Sequence, residues 1–174
     1  MAGVGLSAEG HDQAERLAEG LGRRPIAAVV SSPLQRARET AAPLACRLGL
    51  SVAVDAGLDE IDFGEWTGLE FAALEGRADW AAWNRIRGLA ACPGGETMLS
   101  AQARALAAIL RLAAAHPGGE LVLVSHQDVL KAVVAQFLGM PLDLMQRITL
   151  DPAHRSTVTL FAADVRVDGI NLPP

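Results

Sequence analysis

Residues 26–36 read Ile-Ala-Ala-Val-Val-Ser-Ser-Pro-Leu-Gln-Arg. The first six, Ile26–Ser31, are apolar or small with no polar alternation, the pattern of a parallel strand covered on both faces. Ser32 and Pro33 end the run abruptly. An amphipathic helix follows, with Leu34, Ala37, Ala41, Leu44, Ala45 and Leu48 on one stripe and Gly49 just past its end, while Pro43 predicts a bend. A buried strand that turns through serines into a helix is half of a β-α-β unit, and the rest of the chain continues the alternation.

Upstream, Ser7 is a helix N-cap, Glu9 suits the first turn, and Ala14, Leu17, Ala18 and Leu21 recur at helical spacing before Gly22, which predicts a helix over about 8–21. Downstream, residues 50–54 read as a second strand. From about 55 to 97 the chain is richer in glycine, tryptophan and acidic residues, with short helical stretches at 71–76 and 79–87, as in an excursion over one end of a sheet. Pro93-Gly94-Gly95 is a loop, and Thr97 caps a long alanine- and leucine-rich helix that reaches His116 and stops at Pro117-Gly118-Gly119. A strand at 121–125 (LVLVS) and a helix at 128–138 follow, then β runs at 146–150 and 157–162. A weaker run at 165–167 precedes Asp168-Gly169, which reads as a turn. The predicted fold is a single α/β domain of three layers, a mainly parallel sheet with helices on both faces.

Composition narrows the function. With 174 residues, 51% hydrophobic and 20% charged, the chain has material for one sizeable core, built from aliphatics because aromatics are 4% and tyrosine is absent. A net charge of −5 argues against a broad basic face for nucleic acid or an acidic membrane surface, yet leaves room for a few arginines converging on a small anion. Cys46 and Cys92 form no CxxC and no metal-ligand spacing, so no zinc site or disulfide framework is expected. The opening MAGVGLSAEG has no leader-like basic or apolar run, and no stretch reads as the roughly 18 apolar residues of a membrane span. A metal- and cofactor-independent protein of the reducing cytoplasm is the expectation, with no membrane or nucleic-acid partner.

In a parallel sheet ligands bind beyond the carboxyl ends of the strands. Ser32 and Arg36 follow one strand and His126 and Gln127 the other. Arg36, one turn into its helix, can aim a planar fork at an oxyanion, though its spacing beside Arg38 and Glu39 equally describes a surface arginine. His126, between strand and helix, suits phosphate contact or proton relay. Glu60 has apolar neighbours that would raise its pKa, but composition does not separate it from Asp59, Asp62 or Glu65.

Together these segments carry more than their parts. Ser31-Ser-Pro-Leu-Gln-Arg-Ala-Arg-Glu-Thr-Ala41, Glu60-Ile-Asp-Phe-Gly-Glu-Trp-Thr-Gly68, Pro93-Gly-Gly-Glu-Thr97 and Val124-Ser-His-Gln-Asp-Val-Leu-Lys131, in this order, resemble the histidine phosphatase superfamily, the phosphoglycerate-mutase-like proteins. The likeness extends from Gly5-Leu6-Ser7 to Gly169-Ile170-Asn171. By that resemblance Arg36 grips the transferred phosphoryl group, Glu60 protonates the leaving oxygen and His126 is the second histidine of the pocket. Ser32 joins the phosphate set, and Glu96, Thr97 and Gln127 line the substrate rim. Gln127-Asp128 stands where many relatives have two glycines.

The resemblance also implies an Arg-His-Gly strand whose histidine attacks phosphorus, and the sequence contains no Arg-His-Gly. His11, His116 and His154 are no evident substitutes. The missing strand is expected to be central, between those at Ile26–Ser31 and 121–125, and a start placed too far downstream is its most economical explanation, ahead of a true loss or a rebuilt site. The expected activity is a phosphomonoesterase acting on a small phosphorylated metabolite through a phosphohistidine. A phosphoglycerate mutase and a non-catalytic phosphate-ester-binding protein are the alternatives, and a homodimer is compatible with each.

Overall fold

The computed structural model describes residues 3–174. In chain order its main elements are α1 (Ala8–Leu21), β1 (Ile26–Ser31), α2 (Gln35–Leu48), β2 (Val52–Val54), α3 (Phe71–Leu74), α4 (Ala78–Arg85), α5 (Met98–Ala115), β3 (Glu120–Val124), α6 (Gln127–Phe137), β4 (Arg155–Leu160) and β5 (Val165–Leu172). Local chemistry sets many of these limits. Ser7 accepts the Gly10 N–H to start α1. Gly49, at φ +67°, closes α2 by donating to the carbonyls of Ala45 and Cys46, and Pro43 is accommodated inside that helix.

The parallel sheet has the order β2-β1-β3, with Val29 opposite Val52 on one side and Val122 on the other. Its two faces are filled separately. Val29 packs with Leu17, Leu21, Leu44 and Ala45 of α1 and α2, whereas Val30 packs with Leu58 and Ala108 toward α5. This is the three-layer α/β arrangement expected from the sequence.

Several details differ from the sequence reading. No strand separates β1 from β3: they pair directly from Ile26 opposite Glu120 to Ser31 opposite Val124. The two apolar runs satisfy each other's backbone groups, so β1 has partners on both sides and the expected gap there does not exist. The outer edge of β3 pairs with no strand among the described residues, and β4 and β5 form a separate antiparallel pair. The segment 146–150 is not a strand. A 3₁₀ helix, Leu142–Arg147, occupies its start, and Met145, Ile148 and Leu150 are buried in the core beside α6, which accounts for their apolar character. Asp168-Gly169 is not a turn either, because β5 runs through it. Thr157 pairs with Gly169 and Val158 with Val167, so Asp168 is the extra residue of a bulge, and the reversal lies earlier, where Phe161 N–H donates to Asp164.

Helix α5 has 18 residues and, against the sequence expectation, is long and apolar enough by composition to cross a membrane. In the fold Met98, Ala101, Gln102, Ala105 and Ala108 are buried. The Gln102 side-chain amide donates to the Ala132 carbonyl at 2.7 Å, fixing α5 against α6.

The segment between β2 and α5 closes a second core. Trp66 and Trp83 are buried edge to face at 6.1 Å, and Trp80 packs on Trp66 at 5.3 Å. The loop 62–64 touches the loop 93–95 backbone to backbone: a Cβ on Gly64 would lie 2.2 Å from the Pro93 oxygen, and one on Gly95 2.2 Å from the Asp62 oxygen. Such distances leave room only for glycine.

Candidate active site

Strand pairing continues one residue past β1, where the Ser32 N–H donates to the Val124 carbonyl at 2.9 Å. That bond sets Ser32 beside the exit of β3, and His126, the N-cap residue of α6 in extended conformation, lies next to it. Ser31, Ser32 and His126 are all buried. The imidazole Nε2 is 2.7 Å from Ser32 Oγ, and Nδ1 is 3.1 Å from Arg36 Nη2. A guanidinium only donates, so Nδ1 is the acceptor and the ring carries its proton on Nε2, facing the serine. Ser32 Oγ also accepts the Leu34 N–H at 3.1 Å and donates to Asp59 Oδ1 at 3.3 Å. Burial, reinforced by the charge of Arg36, lowers the His126 pKa to about 4, so the ring is neutral at pH 7.

Glu60 approaches the same group from the excursion. Its Oε2 is 3.8 Å from His126 Nδ1 and 3.9 Å from Arg36 Nη2. Burial is the main reason its pKa rises to about 7, opposed by the Ile61 N–H bonded to Oε1 and augmented by the negative charge of Asp128. A carboxyl near half-protonation at neutral pH, beside an arginine and a neutral imidazole, can give a proton to a leaving oxygen and take one from water. The structure thereby separates the four acidic candidates. Glu60 faces the imidazole and Asp59 holds Ser32. Asp62 bonds the Gly64 N–H, and the Glu65 side chain is exposed.

The remaining sequence candidates sit in supporting contacts. Glu96 is paired with Arg104 and accepts the Asp62 N–H at 3.1 Å. Thr97 caps α5 by accepting the Ser100 N–H at 3.0 Å. Gln127 reaches across to the Leu150 carbonyl at 2.7 Å. The other histidines lie elsewhere: His11 on the exposed side of α1, His116 bonded to the Leu112 carbonyl and His154 to that of Pro152.

Asp128, noted in the sequence only for standing where many relatives have glycine, has partners that the sequence did not disclose, and Arg87 and Arg104 were not reached at all. Asp128 forms an ion pair with Arg87 at 2.8 Å and accepts from Gln146 at 3.1 Å, while Arg87 lies 5.2 Å over the Trp83 ring. Arg104 holds the Glu60 loop from α5. Its signal was a cation on the second turn of an alanine- and leucine-rich helix. Among the described residues no group of three His, Cys, Asp or Glu side chains is arranged to hold a metal ion.

Comparison with known proteins shows what the whole chain resembles. The chain is 36% identical over 161 residues to a bifunctional protein of Mycobacterium tuberculosis, covering 91% of this chain and 44% of that protein. It is 38% identical over 147 residues to a glucosyl-3-phosphoglycerate phosphatase of the same species, covering 79% of this chain and 66% of the phosphatase. The chain thus spans less than half of the first relative and just under two thirds of the second. The solved structure of a mycobacterial glucosyl-3-phosphoglycerate phosphatase in complex with VO3 superposes with a TM-score of 0.86 at 32% identity, covering 99% of this chain and 90% of that one. Bacillus stearothermophilus YhfR superposes with a TM-score of 0.89 at 26% identity, covering 94% and 82%. The match to the histidine phosphatase superfamily (branch 1) runs over residues 1–173, and the chain belongs to that family.

Proposed function

We propose that this chain carries the phosphate site of a phosphomonoesterase that acts on a small phosphorylated metabolite. The convergence of Arg36, His126, Ser32 and Glu60 at the carboxyl ends of β1 and β3 carries this reading. Phosphoryl transfer asks little of a protein beyond in-line positioning, charge neutralisation and a proton for the leaving alkoxide. Arg36 supplies charge and a fork, the neutral His126 supplies an N–H, and Glu60 supplies the proton. The similarity to a glucosyl-3-phosphoglycerate phosphatase and, at 27% identity, to an alpha-ribazole phosphatase of Shigella flexneri supports a compact phosphate ester as substrate.

In this reading the phosphoryl acceptor is a histidine of an Arg-His-Gly segment that the 174 residues do not contain. The unpaired outer edge of β3, one residue from His126, supports a strand docking there. One observation favours a second reading, a phosphate-ester-binding protein without turnover: His126 is the only histidine in the site among the described residues.

The deciding experiment gives the protein an Arg-His-Gly strand at its N-terminus, offers it 4-nitrophenyl phosphate and quenches it for acid-labile phosphoprotein. Turnover with a trapped phosphohistidine supports the enzyme, and vanadate binding without turnover supports the second reading. A protein that neither binds vanadate nor turns over sinks both. Genomic sequence upstream of Met1 without an in-frame Arg-His-Gly would remove the proposed acceptor.

A further inference from the structure

We infer that Arg104, which meets the phosphate site only through backbone carbonyls, is the residue that positions Glu60 for proton transfer; the inference rests on the phosphomonoesterase reading. A guanidinium has five N–H donors in a rigid plane. Here every one is engaged around the acid loop. Nε and Nη2 hold the two carboxylate oxygens of Glu96, each at 2.9 Å. Nη1 donates to the carbonyls of Gly57 at 3.0 Å and Asp59 at 2.8 Å, and Nη2 donates to that of Glu60 itself at 2.9 Å. Three carbonyls of the segment that presents the acid therefore converge on one planar group rooted in α5.

Glu96 completes the clamp. Its carboxylate balances the Arg104 charge and accepts the Asp62 N–H, and its own N–H donates to the Asp62 carbonyl at 2.8 Å. Residues 57–62 are thereby tied to α5 and to the loop before it. The Glu60 side chain is lightly held by comparison. Its one hydrogen bond of ordinary length goes to the adjacent Ile61 N–H, and both site partners lie beyond hydrogen-bond distance. Where the carboxyl points is thus decided by the backbone, and Arg104 decides the backbone.

Lysine keeps the charge but has three donors on a flexible stem, so Arg104→Lys dissolves the planar arrangement without removing the cation. The test measures this variant in the protein that carries the Arg-His-Gly segment, against two substrates. Hydrolysis of an alkyl phosphate, whose alkoxide needs the proton, is expected to fall in kcat by about tenfold or more. The first-turnover release of 4-nitrophenolate, which needs no proton and precedes the attack of water, is expected to change by less than about threefold. Equal losses on the two substrates would overturn the inference, since a merely structural role damages both alike.

A second arm is independent of turnover. The Glu60 carboxyl is followed by 13C NMR, assigned through Glu60→Gln, and amide exchange is read across residues 57–62. The charged and titratable groups facing Glu60 are Arg36 of α2, His126 at the start of α6, Asp128 within α6 and Arg104 of α5. In Arg104→Lys the midpoint is expected to drop toward the ordinary carboxylate range as the loop loosens and water enters, with faster exchange at these amides. An unmoved midpoint with unmoved exchange overturns the inference. If the wild type hydrolyses neither ester, the enzyme reading falls and this arm alone decides the positioning role.

Discussion

The two halves of the site are held in opposite ways. Ser32, Arg36 and His126 stand on the ends of β1 and β3, where register and the Ser32–Val124 backbone bond place them. Glu60 stands on an irregular loop that is gripped from outside by side chains of distant sequence, Arg104 and Glu96, over an aromatic core. A group on a strand end keeps its place when a neighbouring side chain is lost. A group on the loop depends on side chains contributed by other segments.

The strongest challenge to that contrast is Trp83→Ala, which empties the centre of the aromatic core. It is expected to cost about 3–5 kcal/mol in urea unfolding. Vanadate binding under native conditions should survive, because the strand ends do not rest on Trp83. Loss of binding in the still-folded variant would make the two halves one unit.

Arg36→Ala acts on the strand-end half alone. Calorimetric titration with vanadate should show affinity weaker by about 1.5–3 kcal/mol, the size of a charged hydrogen-bond pair. Unchanged affinity would reduce Arg36 to packing.

Acidity separates the halves by sign. Glu60, with a folded pKa raised to about 7, holds its proton in the native state where the unfolded chain has lost it. The stability this gives is present below the ordinary carboxylate pKa and is lost as pH rises through about 7. Glu60→Gln keeps the neutral form, so it should be more stable than wild type at pH 8 by about 2 kcal/mol and nearly equal to it at pH 4. His126 runs the other way. With its folded pKa lowered to about 4, its contribution is present above the ordinary histidine pKa and is lost as pH falls toward 4. Urea midpoints across pH 4–8 for the wild type and both single variants, Glu60→Gln and His126→Gln, check the two slopes.

The smallest effect is assigned to Thr97→Ala. Losing the α5 cap should cost about 1 kcal/mol with phosphate affinity intact. Weaker phosphate binding would instead move Thr97 to the rim of the pocket.

The same contrast explains what the sequence disclosed. Elements set by local rules were legible: Ser7 and Gly49 mark helix ends, and the apolar run at Ile26–Ser31 announces a buried strand. Arg36 and His126 followed because they stand where such strands stop. Glu60 emerged from its acidic neighbours only through resemblance, since its surroundings come from other segments. Arg104 was hidden because its four partner residues lie 8 to 47 positions away. Topology was hidden for the same reason. Nothing in β1 or β3 alone says that they are neighbours, and the strand expected between them came from the resemblance alone. At 146–150 the run Gln-Arg-Ile-Thr-Leu has β character, but Ile148 and Leu150 gain more by entering the second core.

The contact between Gly64 and Gly95 has a consequence for inheritance. Two loops 31 positions apart meet with no room for a methyl group, so neither can be redrawn while the other stays as it is. Grafting the segment that presents Glu60 from a relative, or recombining the chain between the two loops, would join halves shaped for different neighbours. The unit that evolution or an engineer can exchange runs from the acid loop through the start of α5, carried over whole.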